Sequence, residues 1–130
     1  MTIRVKRVYE PRDDDDGLRI LVDRLWPRGV SKADLDHDAW LKDVAPSTAL
    51  RKWFGHDPEK WSEFRRRYAQ ELDHNPPAVQ ELRRLVGRGL ATLLYAAKDE
   101  QHNHALVLRD YLSRKRGVTP AAAPENGRRA

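Results

Sequence analysis

The stretch that decides the fold of this chain is Leu18-Arg-Ile-Leu-Val-Asp-Arg-Leu-Trp-Pro-Arg-Gly-Val-Ser-Lys32. Its apolar run Ile20-Leu21-Val22 has strand length and passes directly into charged and aromatic residues, followed by a Pro/Gly break. Open α/β sheets place their ligand sites at the carboxyl ends of such buried strands. The stretch therefore predicts a strand over Leu18–Leu25 whose carboxyl end holds an anion-binding site, although it identifies no reaction and no substrate.

Two further segments have the composition of strands. Thr2–Tyr9 alternates apolar and charged residues, which is typical of a strand with one buried face. Leu90–Ala97 is apolar throughout, as expected where helices cover both faces of a sheet. Because the turn between the first two strands is short, an antiparallel or a non-adjacent arrangement of these strands remains open.

Local signals predict four helices between and after the strands. Ser47 is placed to cap a short helix over Thr48–Phe54, and Gly55 is placed to end it. Asp57-Pro58 and Asn75-Pro76 are typical helix starts, and the last helix is expected from about Asn103 to Lys115. In the second of these helices, apolar residues recur at helical spacing and predict a core stripe, namely Trp61, Phe64, Tyr68 and Leu72.

The order of these elements predicts a small single α/β domain. Its sheet is expected to be mostly parallel, with three strands or slightly more, and to be flanked by helices in two or three layers. The domain is expected to cover residues 1–116. Residues 117–130 are rich in Pro, Ala, Gly and Arg without a core-forming pattern, and we expect a disordered basic tail there.

Composition narrows the class of protein. The 130 residues contain no cysteine, which excludes disulfides, cysteine-ligated metal sites and thiol catalysis. No apolar run approaches the ~20 residues that span a bilayer, and no signal-peptide pattern begins the chain, so we expect a cytoplasmic protein without a membrane partner. The net charge of +5 is compatible with an anionic partner but does not select one.

Cationic and aromatic side chains suggest how an anion would be bound. Arg24 and Arg28 flank Trp26, and two guanidinium groups beside an aromatic ring suit a carboxylate, a phosphate or a stacked base. The loop before the first helix could add a cation and the N–H groups that follow Ser47. The predicted ligand-binding residues are Arg24, Trp26, Arg28, Lys42, Ser47 and Lys98.

Three titratable residues are candidates for acid–base chemistry. Asp23 and Asp99 follow the second and third predicted strands, and His104 lies near the start of the last helix. If those strands are parallel neighbours, the three side chains converge at one edge of the sheet. A carboxylate beside lysine and arginine should have a lowered pKa and act as a base or a metal ligand rather than as an acid. Asp23, Asp99 and His104 are therefore the predicted catalytic residues.

Structural roles are the alternative for most of these residues. The segment 26–29 could merely end a strand, Ser47 could be only a cap, and Asp99 with Asn103 could cap the last helix. Arg24 and Asp99 could form a plain ion pair. Asp99, His102 and His104 have weak metal-ligand spacing, so no metal site is predicted. The acidic run Asp13–Asp16 is expected to be a solvated turn.

A second function class uses another surface. Arg65, Arg66 and Arg67 lie on the predicted helix that carries the aromatic stripe, and they could form a face for nucleic acid or a protein partner. The sequence thus leaves two classes open: an enzyme or small-ligand protein with an anion site, and a binding module. No cofactor is indicated, and the oligomeric state is left open.

Several motifs together resemble a known family. They are Val22–Gly29, Ala45-Pro-Ser47, Leu50-Arg-x-Trp-Phe54, His56-Asp-Pro58, Phe64-x-x-x-Tyr68 with Glu71-Leu72, and Leu94–Asp99 with Asn103-His-Ala105. This set closely resembles the YeaO-like family, the short bacterial branch of domain of unknown function 488. The resemblance covers the chain to about Arg116 and implies a compact α/β domain without an established activity. Longer relatives carry a Cys-His-Arg cluster after the third strand, of which His104 alone matches here.

Removing the tail should leave the domain intact. Truncation after Arg116 should leave the thermal midpoint nearly unchanged, because the residues removed have no apolar periodicity with which to pack. Thermal unfolding of the full and the truncated chain checks this. A large drop in the midpoint would show that the tail docks on the domain.

Overall fold

A four-stranded parallel sheet forms the centre of the molecule, in a computed structural model that describes residues 2–87 and 89–115. The elements in chain order are β1 (Thr2–Arg7), β2 (Leu18–Leu21), β3 (Ala39–Trp40), α1 (Thr48–Phe54), α2 (Trp61–Asp73), α3 (Pro76–Val86), β4 (Leu90–Tyr95) and α4 (His104–Lys115). The strand order is β1-β4-β2-β3, and every pairing is parallel. The predicted α/β class with a mostly parallel sheet is confirmed.

The sheet has one strand more than the three that the sequence predicts, and the predicted strands are shorter in the structure. β4 lies between β1 and β2, so the first two strands are non-adjacent. β3 has two residues, which are too few to show a periodicity, and no pattern in the sequence predicts it. β2 ends at Leu21, four residues before the predicted end, although the Val22 N–H still donates to Leu94 O at 3.1 Å.

A side chain replaces the backbone where the ladder stops. The Asp23 carboxylate accepts from the Ala96 N–H at 3.1 Å, taking the place of a strand carbonyl. The third predicted strand, β4, accordingly ends at Tyr95 rather than Ala97. The carboxyl edge of the sheet therefore begins at Asp23 and Ala96.

The helix boundaries follow the local signals. Ser47 Oγ accepts from the Leu50 N–H at 3.1 Å, and Gly55 ends α1 in the left-handed conformation at φ 55°. Asp57 caps a single 3₁₀ turn, Pro58–Lys60, which leads into α2. The core stripe of α2 is buried at Phe64, Tyr68 and Leu72, while Trp61 is half-buried.

All four helices pack on one face of the sheet. The main core joins Ile20, Val22 and Leu93 to apolar residues of α1, α2, α3 and α4. The opposite face contributes Leu21 and Leu94, and it is covered by loop residues instead. Of the two predicted arrangements, two layers and three, the structure has two, because the apolar side chains of β4 that face away from the helices pack under loops.

A buried ionic cluster lies under the loop that follows β1. The Asp16 carboxylate is fully buried and accepts from Arg19 at 2.7 Å and from Lys6 at 3.0 Å. Burial by itself would raise the pKa of Asp16, but the hydrogen bonds from Arg19 and Lys6 outweigh it and lower the pKa to about 2. The expectation of a solvated turn over Asp13–Asp16 is thus wrong for Asp16, whose partners could not be read from a run of four aspartates.

Two sequence predictions about the ends of the chain concern residues outside those described. The boundary at Arg116 and the tail 117–130 both fall there. In the part of the chain that the structure describes, no helix has the length and apolar character that crossing a membrane requires.

Removing the buried charge of Asp16 should destabilise the fold. Asp16→Asn should lower the free energy of unfolding by about 3–5 kcal/mol, because Arg19 and Lys6 lose their buried partner. Asp14→Asn, in the same turn but exposed, is the matched control and should change it by under about 0.5 kcal/mol. Urea unfolding measures both, and similar losses for the two variants would contradict the assignment.

The same carboxylate should give the stability a pH dependence. Because the pKa of Asp16 is lowered to about 2 on folding, its contribution is present above its ordinary pKa near 3.8 and is lost as the pH falls toward 2. Asp16→Asn should therefore flatten the stability profile between about pH 5 and pH 2.

Candidate functional site

Asp23 joins four elements at the carboxyl edge of the sheet. It directly follows Val22, whose N–H makes the last backbone hydrogen bond between the β2 segment and β4. The Asp23 carboxylate Oδ2 accepts from the Ala96 N–H, just after β4. Its backbone carbonyl accepts from Trp40 Nε1 of β3 at 2.8 Å. Its Oδ1 lies 3.1 Å from Nε2 of His104, the first residue of α4. Asp23 therefore fixes where β2, β3, β4 and α4 meet.

His104 closes this junction. Its Nε2 lies 3.0 Å from Val22 O and 3.1 Å from Asp23 Oδ1. Because both atoms are acceptors, Nε2 carries a proton. The side chains of His104 and Asp23 are each 15% exposed. The structure thus brings two of the three predicted catalytic residues into one largely buried pair.

Tyr68 of α2 lies behind the pair. Its ring centroid is 6.4 Å from that of His104, and its hydroxyl donates to Val44 O at 2.5 Å. Burial raises the pKa of Tyr68 well above its ordinary value, and the negative charges of Glu71 and Asp23 raise it further. Tyr68 therefore stays a neutral donor that holds the loop before α1.

Asp99, the third predicted catalytic residue, belongs to a different pair. Its carboxylate accepts from the Gln101 and His102 N–H groups and contacts His102 Nδ1 at 2.9 Å. The Gln101 N–H is the main cause of the lowered pKa of Asp99, and His102 adds to it. The pKa is lowered as expected, but by this turn rather than by lysine and arginine. His102 and His104 thus pair with different carboxylates.

The last helix is capped by Asn103. Its Oδ1 accepts from the Leu106 N–H at 3.1 Å, and its Nδ2 donates to Asp99 O. The contacts of Asp99 and Asn103 are therefore those of the structural alternative, in which both residues shape the start of α4.

Arg24 contacts backbone carbonyls rather than a carboxylate. Its Nε donates to Pro46 O at 3.3 Å and its Nη2 to Ala45 O at 3.0 Å. The Arg24–Asp99 ion pair considered from the sequence is therefore not formed. These two bonds leave Nη1 and one N–H of Nη2 without a partner among the described residues. The arginine is therefore held in place without an acidic partner in the described part of the chain.

Arg24 and Lys42 line the same open cleft, of about 480 Å³, between the β3 edge and α3. The Lys42 ammonium lies over the Trp40 ring, 5.2 Å from its centroid, and forms no ion pair with a described residue. The remaining lining residues are Trp40, Leu41, Asp43, Val44, Asn75, Pro77, Ala78 and Glu81. Two of the predicted ligand-binding cations thus line one cleft. Residues of α3 line it as well, and no sequence pattern predicted that.

The other predicted ligand-binding residues do not line that cleft. Ser47 caps α1 and is bound by Glu71, which accepts from its N–H at 2.8 Å and its hydroxyl at 2.5 Å. Trp26 packs edge-on against Trp40 at 5.3 Å and donates to Val30 O at 2.5 Å. Arg28 and Lys98 are exposed and make no ion pair within the described residues.

The arginine run of α2 is largely engaged. Arg66 and Arg67 both bind the Glu63 carboxylate, and Arg67 also lies over the Trp53 ring at 4.2 Å. The Glu63 pKa is lowered to about 2, chiefly by the hydrogen bond from Arg66 and then by that from Arg67. Arg65 lies over Trp61 at 5.7 Å and is the one member of the run without a carboxylate partner among the described residues.

Loss of the His104 imidazole should destabilise the fold more than loss of the His102 imidazole. His104→Ala should lower the free energy of unfolding by about 1–3 kcal/mol, because Val22 O loses its buried donor and the buried Asp23 Oδ1 loses the imidazole that lies 3.1 Å away. His102→Ala, whose ring pairs with a carboxylate that is 31% exposed, is the matched control and should cost under about 1 kcal/mol. Denaturant unfolding compares the two; a larger loss for His102→Ala would contradict this geometry.

Comparisons with known proteins identify the family. Residues 2–126 match the family described as "Inactive DUF488-N3 subclade". An uncharacterized protein of Mycobacterium tuberculosis (strain ATCC 25618 / H37Rv) is 49% identical over 111 residues, covering 85% of this chain and 93% of that protein. The uncharacterized protein YeaO of Escherichia coli (strain K12) is 47% identical over 112 residues, covering 86% and 97%. No solved structure shows a significant match. The chain belongs to the DUF488 family, in its YeaO-like branch.

Proposed function

We propose that this protein is a non-catalytic domain that binds a small anionic ligand in the cleft lined by Arg24 and Lys42. The observation that carries the proposal is the presence, in one cleft, of two cations that have no carboxylate partner among the described residues. A cleft of about 480 Å³ falls within the range of about 300–1,000 Å³ usual for small-molecule sites.

Arg24 suits this role because its orientation is already fixed. The carbonyls of Ala45 and Pro46 hold the guanidinium plane while leaving part of its N–H donors free. A cation that is ordered before binding loses little rotamer freedom when the ligand arrives. A carboxylate or phosphate could then bind Arg24 directly and take a second contact from the flexible Lys42 ammonium.

Two observations favour binding without catalysis. Asp23, Asp99 and His104 are engaged in contacts that hold strand ends and a turn, and none of them lines the cleft. The subclade that the chain matches is described as inactive. The acid–base residues then serve the fold, and the anion site is separate from them.

The nucleic-acid alternative receives less support. A basic face gains affinity from cations that can replace counterions on phosphates. On α2, Glu63 already neutralises Arg66 and Arg67, so that within the described part of the chain Arg65 is the member of the run left without an acidic partner. The cleft is the better-supported site.

An NMR titration with inorganic phosphate and with acetate tests the proposal. Backbone shifts should change around the cleft, and Lys42→Gln should weaken binding at least tenfold, which corresponds to about 1.4 kcal/mol. Lys52→Gln is the matched control, because Lys52 is an exposed lysine of α1 outside the cleft. Its affinity should equal that of the unmodified protein.

Two results would overturn the proposal. The first is an equal loss of affinity in Lys42→Gln and Lys52→Gln, which would indicate diffuse charge attraction. The second is a set of shift changes confined to Arg28 and Lys98, which would place the anion at the exposed end of the strands instead.

A further inference from the structure

We infer that the ligand of the Arg24–Lys42 cleft is zwitterionic, with an acidic group and an ammonium group on one apolar skeleton, as in an apolar α-amino acid. The inference rests on the proposed function and narrows its ligand class. It comes from the negative charge and the apolar surface that also line the cleft.

The cleft contains an uncompensated negative charge as well as positive ones. Asp43 is exposed, and its carboxylate has no hydrogen bond or ion pair with a described residue, although Lys42 precedes it directly. Glu81, the second acid of the cleft, is already paired with Arg84 at 2.5 Å. Asp43 is therefore the carboxylate that remains available to a ligand cation.

Separate contacts place the residues that carry these charges. Asn75, just before α3, donates from Nδ2 to the Asp43 carbonyl at 3.2 Å and ties the backbone of that residue to the helix. The Lys42 ammonium lies over the Trp40 ring, and Arg24 donates to the carbonyls that precede α1. A ligand that carries one sign alone would leave the opposite charge of the cleft to water, whereas a zwitterion would contact both.

Apolar side chains supply the rest of the surface. Five of the ten lining residues are apolar or aromatic, namely Trp40, Leu41, Val44, Pro77 and Ala78. An aliphatic side chain placed against them would gain about 25 cal/mol for each Å² of apolar surface removed from water. A purely polar zwitterion would forgo that gain, so the ligand class is an amino acid with an apolar side chain.

Three probes with one carbon skeleton separate the contributions of the two charges. They are L-leucine, 4-methylpentanoate, which lacks the amino group, and leucinamide, which lacks the carboxylate. Titrated by NMR against the full chain, L-leucine should bind at least tenfold more tightly than either of the others. Asp43→Asn should reduce the affinity for L-leucine to that for 4-methylpentanoate and leave the latter unchanged.

Asp34→Asn is the matched control, because Asp34 is an exposed aspartate whose side chain has no described partner and lies outside the cleft. Its affinity for all three probes should equal that of the unmodified protein. Lys42→Gln should weaken L-leucine and 4-methylpentanoate together, which separates the anion contact from the cation contact.

The outcomes also separate this inference from the proposed function. If phosphate, acetate and 4-methylpentanoate bind through Lys42 while L-leucine binds no more tightly and Asp43→Asn has no effect, the zwitterion inference fails and the anion site stands. If none of the anions binds in a Lys42-dependent manner, both fail. Binding of leucinamide alone would overturn both as well.

Discussion

The carboxyl edge of this sheet depends on one residue, Asp23. Its carboxylate and its backbone carbonyl together bind Ala96, His104 and Trp40. These partners belong to the end of β4, the start of α4 and the edge strand β3. Parallel strands have no hairpin to fix their ends relative to one another, so the register at this edge needs such a cross-link. Once Asp23 is placed, the positions of Arg24 and of the cleft beside β3 follow.

The side of the molecule that carries the helices is stabilised differently from the side that carries loops. Under the helices, apolar packing around Phe64 and Tyr68 dominates, and the buried Tyr68 hydroxyl is satisfied by Val44 O. Under the loops, Asp16 gathers Arg19 and Lys6 into a buried ionic cluster. A cluster of this kind costs desolvation and gains back its energy only when every partner is present. The cluster therefore favours one arrangement of the loops that cover this face of the sheet.

What the sequence could reveal depended on how far apart the interacting residues lie. The ends of α1 were readable because Ser47 and Gly55 act within one helical turn of their own positions. The pairing of His104 with Val22 spans 82 positions, and no local pattern encodes it. The same holds for Arg24, whose carbonyl partners lie 21 and 22 positions away. The position of charged residues after the strands predicted a shared site, but it could not assign partners among them.

The partner assignments change what the site can do. Successive residues at the end of a strand point in different directions, so Asp23 and Arg24 serve different surroundings. Asp23 turns toward His104 and Ala96 and becomes part of the framework. Arg24 turns toward the loop before α1 and, in the function proposed above, keeps free donors for a ligand. An Asp–His pair at a strand end can in this way stabilise the fold while, in the proposed function, the next residue along the chain binds the ligand.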